Sequence, residues 1–129
     1  MNAQLFGIEN CDQCRKARQW LRSHGVDLQV HDLRSDGLTR QMLERWLTRV
    51  PWDSLLNRRG QSWRKLDESQ RRAVVDRDTL IELLLAQPLL VKRPVLEAPD
   101  RLLIGFSEAA YASAFPDTAE AASTRASGA

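Results

Sequence analysis

A chain of 129 residues that is 43% hydrophobic has the size and apolar content of one ordinary domain, able to bury a core without disulfide or metal staples. Its 19 basic and 17 acidic residues are interleaved and leave a net charge of +2, so no global field marks a nucleic-acid or membrane binder. Met1-Asn2-Ala3-Gln4 lacks the basic and long apolar regions of a signal peptide, and no apolar run approaches the ~20 residues that span a bilayer, so a cytoplasmic protein is expected.

Ala3, Leu5 and Ile8, with Phe6 between them, predict a strand over 3–8 that runs into a turn at Gly7 to Asn10. Cys14, Ala17, Trp20 and Leu21 then recur at helical spacing and Gly25 supplies a stop, which predicts a helix over 12–24. Leu28 and Val30 alternate with Gln29 and His31, so a second strand closes a strand-helix-strand unit, and such a unit favours a parallel pair. Met42, Leu43, Trp46, Leu47 and Val50 form one helical stripe after a candidate N-cap at Thr39, with Pro51 as its end. Thr79-Leu80-Ile81-Glu82 has capping-box spacing ahead of Leu83 to Leu85. Leu89 to Val91 and Leu102 to Ile104 read as strands around Ala98-Pro99-Asp100, and Ser107 can cap a last helix running to about Phe115.

The predicted order is β-α-β, helices, then β-β-α, with a helical insertion over about 38–87. That order, with a cysteine pair at the first strand-to-helix junction, is a thioredoxin or glutaredoxin arrangement of the α/β class. Residues 117–129 contain no large apolar side chain and are expected to be a disordered tail.

The chemistry centres on Cys11-Asp12-Gln13-Cys14. A thiol becomes a nucleophile only as the thiolate, and at a helix N-terminus Cys11 would feel unpaired N–H groups and the positive end of the dipole, which lower its pKa. Arg15 and Lys16 would add to this and Asp12 would oppose it. Cys14, one turn on, is within reach to resolve a mixed disulfide on Cys11, or is simply a small buried hydrophobe. A zinc site needs two further ligands, and His24 and His31 repeat no familiar finger spacing, so no metal is expected. These histidines read as a polar residue near a helix end and an outward residue on the second strand.

In Lys92-Arg93-Pro94 the proline removes a ladder donor, which suits either a sheet position bordering a site or an ordinary loop. The basic stretch Arg58, Arg59, Arg64, Lys65, Arg71, Arg72 and Arg77 around Trp63 is offset by Asp67, Glu68, Asp76 and Asp78 and reads as a solvated face, with no direct nucleic-acid contact. Trp46, Trp52 and Trp63 read as core or turn residues.

Leu5-Phe6-Gly7-Ile8-Glu9-Asn10-Cys11-Asp12, Lys16-Ala17-Arg18-Gln19-Trp20-Leu21, Leu55-Leu56-Asn57-Arg58-Arg59-Gly60, Trp63-Arg64-Lys65-Leu66 and Lys92-Arg93-Pro94 resemble the arsenate reductase-like family, above all its YffB and Spx branches. The resemblance runs colinearly from residue 3 to about 116, so a domain over 1–116 is expected. In the arsenate reductases of this family one cysteine attacks arsenate, three arginines hold the oxyanion, and glutathione with glutaredoxin completes turnover.

Cys11 matches that cysteine and Arg93 one of the arginines, and the resemblance implies that Pro94 is the cis-proline of thioredoxin-like sites. The arginine after the Leu-Leu pair falls on Asn57 and the third falls on Gly105, which departs from the arsenate pattern. Arg59 corresponds to an arginine kept in YffB-like proteins, which are regarded as glutathione-dependent thiol reductases. The leading expectation is therefore a monomeric thiol-disulfide oxidoreductase with Cys11, Cys14 and Arg93 in the chemistry and Asn10, Arg59 and Pro94 shaping the site. In it Asn10 forms the turn and caps the helix, no cofactor is bound, and glutathione is the co-substrate. The Spx branch implies an alternative, in which Cys11 and Cys14 form a disulfide switch and the partner is the C-terminal domain of the RNA polymerase α subunit. Arsenate reduction is a further alternative.

Overall fold

A computed structural model describes residues 2–116, so the tail expected over 117–129 lies outside the described residues. The chain forms two compact units, one made of the segments up to His31 and from Arg93 onward, the other of Asp32–Lys92.

The first unit carries β1 (Asn2–Gly7), α1 (Asp12–Ser23), β2 (Asp27–Asp32), β3 (Val95–Ala98), β4 (Arg101–Ile104) and α6 (Glu108–Ala114). The sheet order is β2-β1-β3-β4. β1 and β3 run antiparallel with Leu5 opposite Leu96, and β3 and β4 antiparallel with Leu96 opposite Leu103. Helix α1 buries Cys14, Ala17, Trp20 and Leu21, the stripe that its 3.6-residue period demands. Gly25 ends it in the left-handed region at φ 73°. Its N–H donates to Arg22 O at 3.2 Å and that of Val26 to Leu21 O at 3.0 Å, the paired bonds of a Schellman ending. Leu5, Ala17, Leu21, Leu96, Tyr111 and Phe115 are all buried in one core, which fixes the junction of β1 with α1. Ser107 caps α6 by accepting from Ala110 N–H at 3.1 Å.

β2 is an edge strand, and Val30, expected to face inward with Leu28, is 47% exposed. Period-two alternation gives two faces but not which of them the neighbouring helices cover.

The second unit holds α2 (Arg40–Leu47), α3 (Gln61–Arg64), α4 (Glu68–Arg72) and α5 (Arg77–Ala86), with 3-10 turns at Trp52–Leu55 and Pro88–Leu90. Thr39 caps α2 through Met42 N–H at 3.2 Å, and Met42, Leu43 and Trp46 are buried. Arg40 pairs with Glu82 across α2 and α5. α2 stops at Leu47 with Thr48 as its C-cap, short of Pro51, which leads into the first 3-10 turn.

Two expectations fail in this stretch. Thr79 is not the N-cap of α5 but its third residue. Asp76 is the cap, accepting from Thr79 N–H at 2.9 Å while the Thr79 hydroxyl accepts from Asp76 N–H at 3.1 Å. Asp is as good a cap as Thr and lies one turn earlier, so the helix starts there. Leu89 to Val91 form no strand: Pro88–Leu90 is a 3-10 turn and Val91 makes only an isolated bridge to Leu56. A short apolar run signals burial, which a tight turn satisfies as well as a strand does. The strand that pairs with β1 instead begins after Pro94, whose carbonyl accepts from Gly105 N–H at 2.8 Å.

Candidate active site

The C-terminal end of β1 delivers the chain through Glu9 and Asn10 to Cys11, which is itself the N-cap residue of α1 with extended backbone (φ −131°, ψ 117°). From that position its carbonyl accepts from Arg15 N–H at 3.0 Å and starts the helix. The sulfur is half-buried, while Cys14, one turn on, is 1% exposed, and both are free thiols.

Burial by itself would raise the Cys11 pKa. Hydrogen bonds from the Cys14 thiol, the Cys14 backbone N–H and the Arg93 guanidinium, together with the charge of Arg93, outweigh it and hold the thiol below its ordinary range. Cys14 is pushed the other way, up to about 12, by burial and by its bond to Cys11, against a favourable backbone N–H of Ile8. The two thiols of one motif therefore have divided roles. Cys11 is the thiol that ionises more readily, and Cys14 keeps its proton and donates.

The charge balance around α1 differs from expectation. Asp12 pairs with Arg15 and with Lys16, the latter at 3.2 Å, so both cations of the first turn are engaged by one carboxylate. What depresses Cys11 comes from Cys14 and from the strand-leading residue Arg93. Asn10 is an exposed turn residue and does not cap α1, because Cys11 holds the N-cap position without any side-chain capping bond. Arg93 precedes a cis peptide bond to the buried Pro94, which sits at the start of β3.

Arg59 lies in the second unit, exposed, with its N–H donating to Asn57 Oδ1 at 3.1 Å. In the same loop the Arg58 guanidinium stands 5.8 Å over the Trp63 ring. Of the tryptophans, Trp46 is fully buried, while Trp52 and Trp63 are half-buried. His24 stacks on Trp20 at 3.8 Å, and half-buried His31 lies 4.9 Å from the Phe6 ring. Among the described residues no three His, Cys, Asp or Glu side chains gather to hold a metal ion, and no helix is long and apolar enough to cross a membrane.

One participant left no trace in the pattern of residue types. The Ile8 N–H that faces Cys14 is a backbone group, which any residue would supply, and only the β1–α1 geometry reveals it.

The model of the ArsC family matches residues 6–114. The solved structure of a YffB protein is 47% identical and superposes with a TM-score of 0.80, covering 86% of this chain and 96% of its own. An arsenate reductase (ArsC) related protein from Brucella melitensis is 48% identical, with a TM-score of 0.70 over 89% of this chain and 95% of that one. The global transcriptional regulator Spx of Streptococcus pyogenes is 35% identical over 107 residues, which are 81% of this chain and 78% of the regulator.

Proposed function

The chain belongs to the ArsC family, with its thioredoxin-like α/β fold, and on that premise we propose that it is a glutathione-dependent thiol-disulfide oxidoreductase of the cytoplasm that uses Cys11 as nucleophile. The observation that carries the reading is the half-buried Cys11 sulfur, whose ionised form is favoured by hydrogen bonds from Cys14 and Arg93. A thiolate that is stabilised yet reachable is what disulfide exchange requires.

The Cys11 thiolate attacks one sulfur of a mixed disulfide. That S–S bond breaks, a Cys11 mixed disulfide forms, and the departing thiolate takes a proton from solvent. Arg93 stabilises the negative charge that passes along the three sulfurs. A glutathione thiolate then attacks the outer sulfur of that mixed disulfide, expels Cys11 as thiolate and leaves in a disulfide with the group it takes from Cys11. Alternatively Cys14, its proton gone to solvent, attacks the Cys11 sulfur, closes a Cys11–Cys14 bond and expels that group as a thiolate, after which two glutathione thiols reopen the bond and leave as glutathione disulfide. The two electrons come from glutathione, with glutaredoxin as a further thiol partner.

Similarity to the Spx regulator favours a second reading, in which the same cysteine pair is a switch and the partner is the C-terminal domain of the RNA polymerase α subunit. Arsenate reduction is supported less well, because Asn57 and Gly105 stand where the resemblance implies arginines, and Gly105 adopts φ 82°, a conformation in which a side chain is strained.

The test follows NADPH loss with the protein, glutathione and glutathione reductase, using a mixed-disulfide substrate and, separately, arsenate, with Cys11→Ser as control. Cys11-dependent turnover on the disulfide alone supports the reductase, and turnover on arsenate moves the substrate to the oxyanion. Inactivity on both, with stoichiometric binding of the polymerase domain that changes on oxidation, replaces the enzyme by the regulator.

A further inference from the structure

Gly7 closes β1 directly beneath the first turn of α1. A Cβ built on it would stand 2.5 Å from Cys14 Sγ and 3.2 Å from Cys14 Cβ. The first distance is far inside van der Waals contact. The positive-φ glycines are Gly25, Gly37 and Gly105, so at Gly7 the backbone itself does not ask for glycine and the missing volume does. The Cys14 sulfur has little room to yield. Its residue is 1% exposed, the Ile8 N–H faces the sulfur, and its S–H is committed to Cys11.

The geometry points to Gly7 as the positioning residue of the cysteine pair: its bare Cα lets the Cys14 sulfur seat against Cys11, and so sets the rate at which Cys14 closes a disulfide onto Cys11. This rests on the thiol-exchange reading above and adds to it a residue that touches neither substrate nor the nucleophile. A methyl group at position 7 would have to displace the sulfur in a close-packed interior, and sulfur-on-sulfur attack needs the two atoms near contact and in line.

Ellman's reagent reads the two steps separately. The Cys11 thiolate attacks the reagent's S–S bond, releases one thionitrobenzoate and keeps the other as a mixed disulfide. The Cys14 thiolate, its proton gone to solvent, then attacks the Cys11 sulfur, closes Cys11–Cys14 and releases the second. Two protein thiols are oxidised and one reagent disulfide is reduced.

In Gly7→Ala the second release should slow at least about tenfold, within the range that roughly 1 Å of misplacement costs, and the first should slow less. In a Cys14→Ala background the same change should leave the first release unaltered, since the sulfur it disturbs is gone. Its cost in urea-denaturation midpoint should likewise shrink there, which decides the matter even if the single variant is too unstable for kinetics. An unchanged second phase in Gly7→Ala, or an equal loss of stability with and without the Cys14 sulfur, overturns the inference alone. A wild-type chain that stops at one equivalent shows instead that Cys14 does not resolve, and the inference falls together with that route of the proposed function.

Discussion

The Arg93 guanidinium hydrogen-bonds to the Cys11 sulfur from the residue that leads, through a cis peptide bond, into Pro94. Its charge and its hydrogen bond hold the Cys11 thiol down together with the hydrogen bonds from Cys14. Replacing Arg93 by Ala removes that charge and that bond while burial stays, so the Cys11 pKa should rise and its alkylation at neutral pH should slow several-fold. Lysine keeps the charge without the planar fork and should fall between the two. The check is the iodoacetamide rate at Cys11 against pH, read by mass spectrometry. A curve that Arg93→Ala does not move removes the guanidinium from the site.

The two thiols should give the fold opposite dependences on pH. Cys11 ionises below 9.0 in the folded chain, so just below that pH the unfolded chain binds more protons, and stability rises as pH rises through the window. Cys14 keeps its proton up to about 12 in the folded chain, so between 9.0 and that value the unfolded chain binds fewer protons and stability falls. The buried Tyr111 hydroxyl adds to the fall, its pKa raised by burial and by Cys14. Urea denaturation under reducing conditions, compared between wild type and Cys14→Ala across the alkaline range, isolates the part due to Cys14. The variant should lose less stability than wild type as pH rises beyond 9.0, and parallel curves would show that Cys14 does not titrate differently in the two states.

The sequence was most legible where one local signal meets no competitor. The cysteine pair at the β1–α1 junction, the Thr39 and Ser107 caps and the buried stripe Met42, Leu43 and Trp46 follow from spacing alone. Reading failed where two structures answer to one pattern. Leu89 to Val91 is apolar because it is enclosed, and the strand it suggested lies beyond Pro94. Val30 alternates like an inward residue but sits on an edge strand. At the site the expected depression of Cys11 has other causes than Arg15 and Lys16, because their ion pairs with Asp12 are an i, i+3 and i, i+4 matter, whereas Arg93 is brought there by tertiary structure and was visible only through family resemblance. The space at Gly7 has no counterpart in residue pattern, since close approach of a backbone to a sulfur is a three-dimensional fact.

The start of α5 offers a test of the reassigned cap. Asp76 and Thr79 each accept from the other's backbone N–H, and Thr79 also accepts from Val75 N–H at 3.0 Å. Asp76→Ala should cost about 1 kcal/mol in chemical denaturation, the usual value of an N-cap. Thr79→Ala should cost a similar amount, and the double variant less than the two together, because either change already breaks the reciprocal pair. A harmless Asp76→Ala beside a costly Thr79→Ala would return the cap to Thr79.

Tyr111 places a fully buried hydroxyl in the first unit without a hydrogen-bond partner among the described residues. Its ring contributes fully, edge-on to Trp20 at 5.6 Å and to Phe106 at 4.8 Å. A buried polar group left unsatisfied costs about 1–3 kcal/mol, so deleting the oxygen alone removes a penalty while leaving the packing in place. Tyr111→Phe should therefore be neutral or stabilise by up to about 1–2 kcal/mol, whereas Tyr111→Ala, which empties the ring's volume, should lose about 3–5 kcal/mol. Denaturation midpoints of the two variants decide it. A Tyr111→Phe chain weaker than wild type by about 1 kcal/mol or more would mean that the hydroxyl makes a bond in solution, and an ordered water within the core is the group with the right size and donors to provide it.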